Sequence, residues 1–296
     1  MISIIGAGKV GSAIGFLSAS TSLDDIVLVN RNKNKAMGEA LDIVNVVPKN
    51  STISVTGTDD YENIAGSQVV VITVNAGKIV TDRSDLIQYN IPIIKDISKK
   101  IERYASNAKV IVITNPVDVI TYCILQESGL SVKNVIGMGS SLDSDRFRYA
   151  ISKTLHTNQS GIESIVLGEH GNSMVPIFST VKLDGKAIHF DKNQMTDITN
   201  EVRNYWRPLT ELKGASVFGA AKHSYDIIKA IMKNESLEVP SSVMLHGEYG
   251  ISDVCMGVPL VINKNGASIK EIDLDDSEHD MLVKSSNVIK NNIKKI

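Results

Sequence analysis

The amino-acid sequence predicts an α/β protein, with a Rossmann-type parallel-sheet domain followed by an α+β substrate and catalytic domain. Short β-branched runs alternate with helix-spaced segments through the first half, the pattern of right-handed βαβ units. A glycine triplet sits directly between the first run and the first helical segment. Beyond Val135-Ile136-Gly137 this alternation gives way to mixed hairpin and helix signals. The change places a boundary near residue 138, giving units 1–138 and 139–296.

Residues 2–5 and 26–29 read as short strands, 69–73 and 110–114 as longer ones. Their near-continuous apolar character suits a parallel sheet covered on both faces. Residues 10–20 form a small-residue helix able to lie close to that sheet, and 35–46 and 85–104 carry apolar positions at helical spacing. After the boundary, a polar segment with Asp143, Asp145, Arg146 and Arg148 leads into a helix ending at Leu155. Residues 164–167 are strand-like, and 181–188 read as a hairpin closed at Asp184-Gly185. Helices over 194–205 and 219–234 follow, then strands over 254–261 and 267–271 joined at Asn265-Gly266, and a last helix after Ser277.

Hydrophobic residues make up 43% of the 296 and charged residues 22%, which excludes a disordered or fibrous chain. A net charge of -2 provides no attraction for nucleic acid or an anionic membrane, so a small-molecule partner is expected. Cys123 and Cys255 lie in apolar surroundings and are expected to stay reduced, as in cytoplasm. The opening residues lack a basic, extended leader and are expected to be a mature first strand. No apolar run reaches the length of a membrane span.

The glycine triplet is Gly6-Ala7-Gly8-Lys9-Val10-Gly11. Its first glycine permits a tight turn, the second lets a pyrophosphate approach backbone, and the third allows close helix–strand packing. Phosphate would then face unsatisfied N–H groups at the helix start. At the end of the second strand, where an NAD-selective site usually carries a carboxylate for the ribose hydroxyls, stands Asn30. Asn does not repel a 2′-phosphate, and Arg31 and Lys33 add positive charge nearby. NADP is therefore expected to be accepted alongside NAD, and to be the favoured of the two. The plainer alternative has Arg31 and Lys33 solvating a turn capped by Asn30. Thr73, Asn90 and Asn115 complete the expected cofactor-binding set.

Oxidising a hydroxyl-bearing carbon needs a base for the hydroxyl proton, and the reverse reaction needs the same group as an acid. Histidine suits both directions. His170 stands out in Leu167-Gly168-Glu169-His170-Gly171-Asn172-Ser173, directly after a strand and between glycines. A histidine so placed can also simply bond backbone. A carboxylate must orient the other ring nitrogen, and Asp143 is the best candidate. Arg146, three residues on, shares its helical face and can grip a carboxylate with two donors. Alone, that pair would be an ordinary surface ion pair. Asn115, in Thr114-Asn115-Pro116-Val117-Asp118, follows an apolar strand where α/β sheets gather ligands. The segment from Val74 through Lys78 to Arg83 also follows a strand and fits a loop that closes over substrate.

In these motifs the chain resembles the malate/lactate dehydrogenase family, especially archaeal malate dehydrogenases of the lactate-dehydrogenase-like branch. The likeness includes the glycine turn, Gly38-Glu39-Ala40-Leu41-Asp42, Asn115-Pro116-Val117-Asp118, Leu142-Asp143-Ser144 with Arg146-Phe147, Gly168-Glu169-His170-Gly171 and Gly247-Glu248-Tyr249-Gly250. It runs over essentially the whole chain.

The resemblance implies that His170 exchanges the proton, Asp143 pairs with it, and Arg146 anchors the substrate's C1 carboxylate. It implies that Arg83 polarises the carbonyl oxygen from a mobile loop, that Asn115 helps to hold that oxygen, and that Ser216 lines the pocket. Lys78 approximates the cation with which malate enzymes bind the distal carboxylate, although the run to Arg83 lacks the family's usual proline and is one residue shorter. The implied activity is malate dehydrogenase, within the tricarboxylic acid cycle, using NAD or NADP and no metal, in a homodimer or homotetramer. The alternative is an L-lactate or broader 2-hydroxyacid dehydrogenase acting on pyruvate. A redox-sensing binding protein without turnover would have little use for His170, Asp143, Arg146, Arg83 and Asn115 together.

Overall fold

Isoleucine and valine dominate the strands at the centre of the molecule, where β-branched side chains fit a pleated surface packed on both faces. The computed structural model describes residues 1–77 and 83–296, with the side chains of Arg83 and Ser84 outside that description. Six strands run parallel: β1 (Ile2–Ile5), β2 (Ile26–Val29), β3 (Val55–Thr58), β4 (Val69–Ile72), β5 (Lys109–Val112) and β6 (Val135–Gly137). Their order in the sheet is β3-β2-β1-β4-β5-β6. The order reverses between β1 and β4, and such sheets bind ligands outside the carboxyl ends of the strands at that point. The helices α1 (Lys9–Ser20), α2 (Lys33–Ile43), α3 (Ile87–Ala105) and α4 (Val117–Ser128) supply four of the crossovers. Residues of β1, β2 and β4 are buried throughout. Each isoleucine so removed from water contributes about 1.5–3 kcal/mol, which holds the strands in place.

The chain continues through α5 (Ser140–Thr154), β7 (Ile162–Leu167), β8 (Val175–Leu183), β9 (Lys186–Ala187), α6 (Lys192–Asn204), α7 (Trp206–Lys213) and α8 (Phe218–Lys233). It closes with β10 (Leu237–His246), β11 (Ser252–Asn263), β12 (Gly266–Ile269) and α9 (Asp276–Ile293). β10 lies antiparallel to β6, Ser242 facing Gly137, and β11 and β12 follow it outward. One nine-stranded sheet therefore crosses the boundary that the sequence pattern suggests near residue 138. A separate sheet, β7-β8-β9, packs with α5 and α6 around a smaller core of Phe147, Ile151, Phe178 and Ile198. Phe147 and Phe178 meet edge to face, their centroids 4.9 Å apart.

Several elements depart from the sequence expectations for local reasons. β3 is Val-Thr-Gly-Thr, too short and polar for an apolar-run signal. α4 starts directly after Asn115-Pro116, which reads as a turn; Pro116 caps it instead. β10 contains Pro240, a residue that argues against an inner strand, yet here Pro240 faces Pro259 across the ladder. α9 begins at Asp276, two residues before the expected start after Ser277, because Asp275 and Glu278 form a capping box. The hairpin at Asp184-Gly185 forms as expected, both residues having positive φ.

Candidate active site

At the carboxyl end of β1 the backbone turns sharply at Gly6, with φ 113°. A Cβ there would lie 2.6 Å from the Thr73 hydroxyl, and one on Gly11 would strike the Gly6 carbonyl. A Cβ on Gly8 would meet nothing within 4 Å. The middle glycine thus leaves open backbone at the start of α1, as an approaching pyrophosphate requires.

Two expected cofactor residues brace this region through their own bonds. Thr73 Oγ1 donates to the Gly6 carbonyl at 2.7 Å, clipping the glycine turn to the end of β4. Asn90, buried on α3, donates through Nδ2 to the Asn115 carbonyl at 2.8 Å and accepts through Oδ1 from the Ala76 N–H at 3.0 Å. It staples together the segments that follow β4 and β5. Asn115 Oδ1 is buried without a donor among the described residues, an arrangement that calls for an external partner. Asn30 Oδ1 accepts from the Asn32 N–H at 2.9 Å, while Asn32 caps α2. Asn30 thus caps the turn as the plainer reading expects, Asn32 caps the helix that follows, and Arg31 is left exposed beside the turn.

In the second half, Asp143 sits in the first turn of α5, completely buried. One oxygen, Oδ2, is 2.5 Å from His170 Nδ1; the other, Oδ1, accepts from Arg146 Nη1 at 3.1 Å. Arg146 Nη2 also donates to Ser216 Oγ at 3.3 Å. The structure thus brings together four of the expected site residues. Three ionisable groups leaving water together are tolerable only because each is paired.

His170 is held by backbone as much as by Asp143. Its N–H donates to Asp118 Oδ2 at 2.8 Å. Gly168 exchanges backbone hydrogen bonds with Gly257 of β11, at 2.9 and 3.0 Å. The Glu169 N–H donates to Ser285 Oγ of α9 at 2.8 Å, and Glu169 Oε2 accepts from the Ser173 hydroxyl at 2.6 Å. On the other side, Gly139 packs so closely that a Cβ would lie 2.7 Å from His170 Cγ. Burial pushes the Asp118 carboxyl up to about 7, against the opposing bond from the His170 N–H.

His170 and Arg146 line a cleft of roughly 380 Å³, together with Pro116, Arg203 and Trp206. Asp118, Gly139, Arg203 and Trp206 were not singled out by sequence; only the fold carries them to His170. Arg83 opens the helical turn Arg83–Leu86, but its side chain, like the whole of Lys78, lies outside the described residues. Among the described residues no group of histidines, cysteines and carboxylates could hold a metal ion. Likewise, no described helix is long and apolar enough to cross a membrane.

Comparison with known proteins adds a consistent picture. The family described as lactate/malate dehydrogenase, NAD binding domain, matches residues 1–137, and its alpha/beta C-terminal domain matches residues 140–296. A malate dehydrogenase from Staphylococcus saprophyticus is 36% identical over 290 residues, covering 95% of this chain and 93% of the relative. A lactate dehydrogenase from Cryptosporidium parvum, solved with lactic acid and β-nicotinamide adenine dinucleotide, superposes with a TM-score of 0.94 at 34% identity, covering 99% of this chain and 96% of that one. The malate dehydrogenase from Archaeoglobus fulgidus in complex with NADH gives a TM-score of 0.90 at 33% identity, covering 100% and 99%.

Proposed function

The chain belongs to the lactate/malate dehydrogenase family of nicotinamide-dependent oxidoreductases, and from that membership we propose that it interconverts malate and oxaloacetate. The reading is carried by the His170–Asp143–Arg146 cluster, of which His170 and Arg146 line a cleft that Pro116 of the dinucleotide-binding half also borders. NAD(H) binding follows from the family, and the open backbone at Gly8 and the orphaned Asn115 Oδ1 suit it. The bound nicotinamide supplies the hydride acceptor in one direction and the donor in the other.

The protein's residues supply the proton and the anchoring. With Nδ1 committed to Asp143, proton exchange with the substrate oxygen falls to His170 Nε2. Asp143 favours the imidazolium that forms as the hydroxyl loses its proton. Arg146 holds the carboxylate next to the reacting carbon, Ser216 steadying the guanidinium. By the family resemblance Arg83 and Asn115 meet the charge that develops on the carbonyl oxygen, and Lys78 adds a further cation. The order of events keeps charge near zero: the proton leaves toward His170 as negative charge would otherwise build on oxygen.

Cofactor breadth belongs to the same proposal. Asn30 places no carboxylate at the end of β2, and exposed Arg31 suits a 2′-phosphate, so NADP is taken as well as NAD and is the favoured cofactor. Side chains such as Phe16 on α1 and Leu41 on α2, 48% and 67% exposed, suit a homodimer or homotetramer. Buried free Cys123 and Cys255 suit the cytoplasm.

A kinetic matrix of oxaloacetate or pyruvate with NADH or NADPH tests the substrate and cofactor assignments together. Higher kcat/KM for oxaloacetate with either cofactor is expected, and a clear preference for pyruvate would reassign the enzyme to the lactate side of its family. An Arg31→Ala enzyme whose NADPH/NADH ratio is unchanged would remove Arg31 from cofactor selection.

A further inference from the structure

Arg203 stands in the same cleft as His170 and Arg146 but, among the described residues, lacks the counter-charge that Arg146 has. It projects from α6, half-buried. Its Nη2 donates to the Met174 carbonyl at 3.0 Å, just beyond the His170 loop. Its Nε is buried and finds no acceptor among the described residues. No described carboxylate forms an ion pair with it, whereas Asp143 neutralises Arg146. Burial lowers the Arg203 pKa from its usual value, the direction taken by a cation that loses water and gains no anion. A guanidinium held in this way is a receptor for a carboxylate.

We propose that Arg203 receives the distal carboxylate of the substrate, so that it selects dicarboxylic over monocarboxylic 2-oxo acids. This deepens, and rests on, the reading of the cleft as a 2-hydroxyacid site. Arg146 anchors the carboxylate beside the reacting carbon, and the chain beyond that carbon extends toward α6. Oxaloacetate ends in a carboxylate that pairs with Arg203. Pyruvate ends in a methyl group, which leaves the half-buried guanidinium without an anion. Selectivity then arises from the stranded cation as much as from the ion pair that oxaloacetate forms. A cation fixed on a helix also discriminates more sharply than one on a loop, because less ordering accompanies binding.

The test compares the wild-type enzyme with Arg203→Gln, Arg203→Lys, Lys78→Ala and Arg207→Ala, the last being an exposed residue at the rim of the same cleft. For each, kcat/KM is measured for oxaloacetate and for pyruvate, and NADH binding is followed separately as a check on folding. Arg203→Gln is expected to lower kcat/KM for oxaloacetate about 10- to 100-fold while pyruvate changes by less than about threefold. Arg203→Lys, which keeps the charge but not the fork, is expected to fall between. Equal losses on both substrates, or lost NADH binding in both Arg203 variants, would make Arg203 a structural brace for Met174 and overturn the proposal. So would a change in the substrate ratio with Lys78→Ala or Arg207→Ala but not with the Arg203 variants. The ratio remains informative if the wild-type enzyme prefers pyruvate; that result would overturn the malate assignment while leaving Arg203's share in discrimination measurable.

Discussion

At Asp143 the two carboxylate oxygens serve different partners, one fixing the imidazole of His170 and the other the guanidinium of Arg146. Both partners could be named from sequence because each sits in a motif whose residue types suit the chemistry. The close neighbour Gly139 could not. Nothing around it in the chain indicates that a distant imidazole will rest against its Cα, 2.7 Å from where a Cβ would stand. A Gly139→Ala enzyme must therefore push the ring of His170 aside or distort the start of α5. We expect kcat to fall about tenfold or more, since a displacement of roughly 1 Å near the chemistry is enough for a large loss, with NADH affinity unchanged. Steady-state rates alongside a binding titration check this, and wild-type kcat would show that His170 tolerates the shift.

Among the elements, α4 does the most that the sequence concealed. Its Asn115-Pro116 start reads as a turn, so the helix went unexpected, and with it the role of Asp118 in its first turn. Asp118 holds the His170 N–H from behind while its own carboxyl, buried, titrates near 7 instead of near its ordinary 3.8. The unfolded chain loses this proton at low pH and the folded chain retains it. Stability from this group is therefore full below about 3.8 and declines as pH rises toward about 7, with no further change above. Asp118→Asn keeps an acceptor for His170 without a charge to bury. Its stability relative to wild type is expected to improve steadily from pH 5 to about pH 7.5, then level off. Denaturant unfolding across that range reads the difference; a constant gap would mean that Asp118 stays ionised in the folded protein.

For the molecule as a whole, the parallel character of the first sheet was legible at β1, β2, β4 and β5, because buried β-branched runs and the glycine turn are local signals; polar β3 and the strand order were not. The extension of that sheet by β10, β11 and β12 was not, because it depends on pairing between distant segments and on a strand that contains Pro240. That extension matters for function. β11 anchors Gly168 at the root of the His170 loop, while β1, β4 and β5 present the dinucleotide-binding turns at their carboxyl ends. On the proposed mechanism one half holds the cofactor and the other exchanges the proton, with a continuous sheet joining them. His170→Asn separates the two duties most directly when turnover and NADH affinity are measured on the same preparation. NADH binding close to wild type and a loss of turnover on the order of 10²–10⁴-fold are expected. Turnover near wild type with NADH bound normally would remove His170 from the proton exchange.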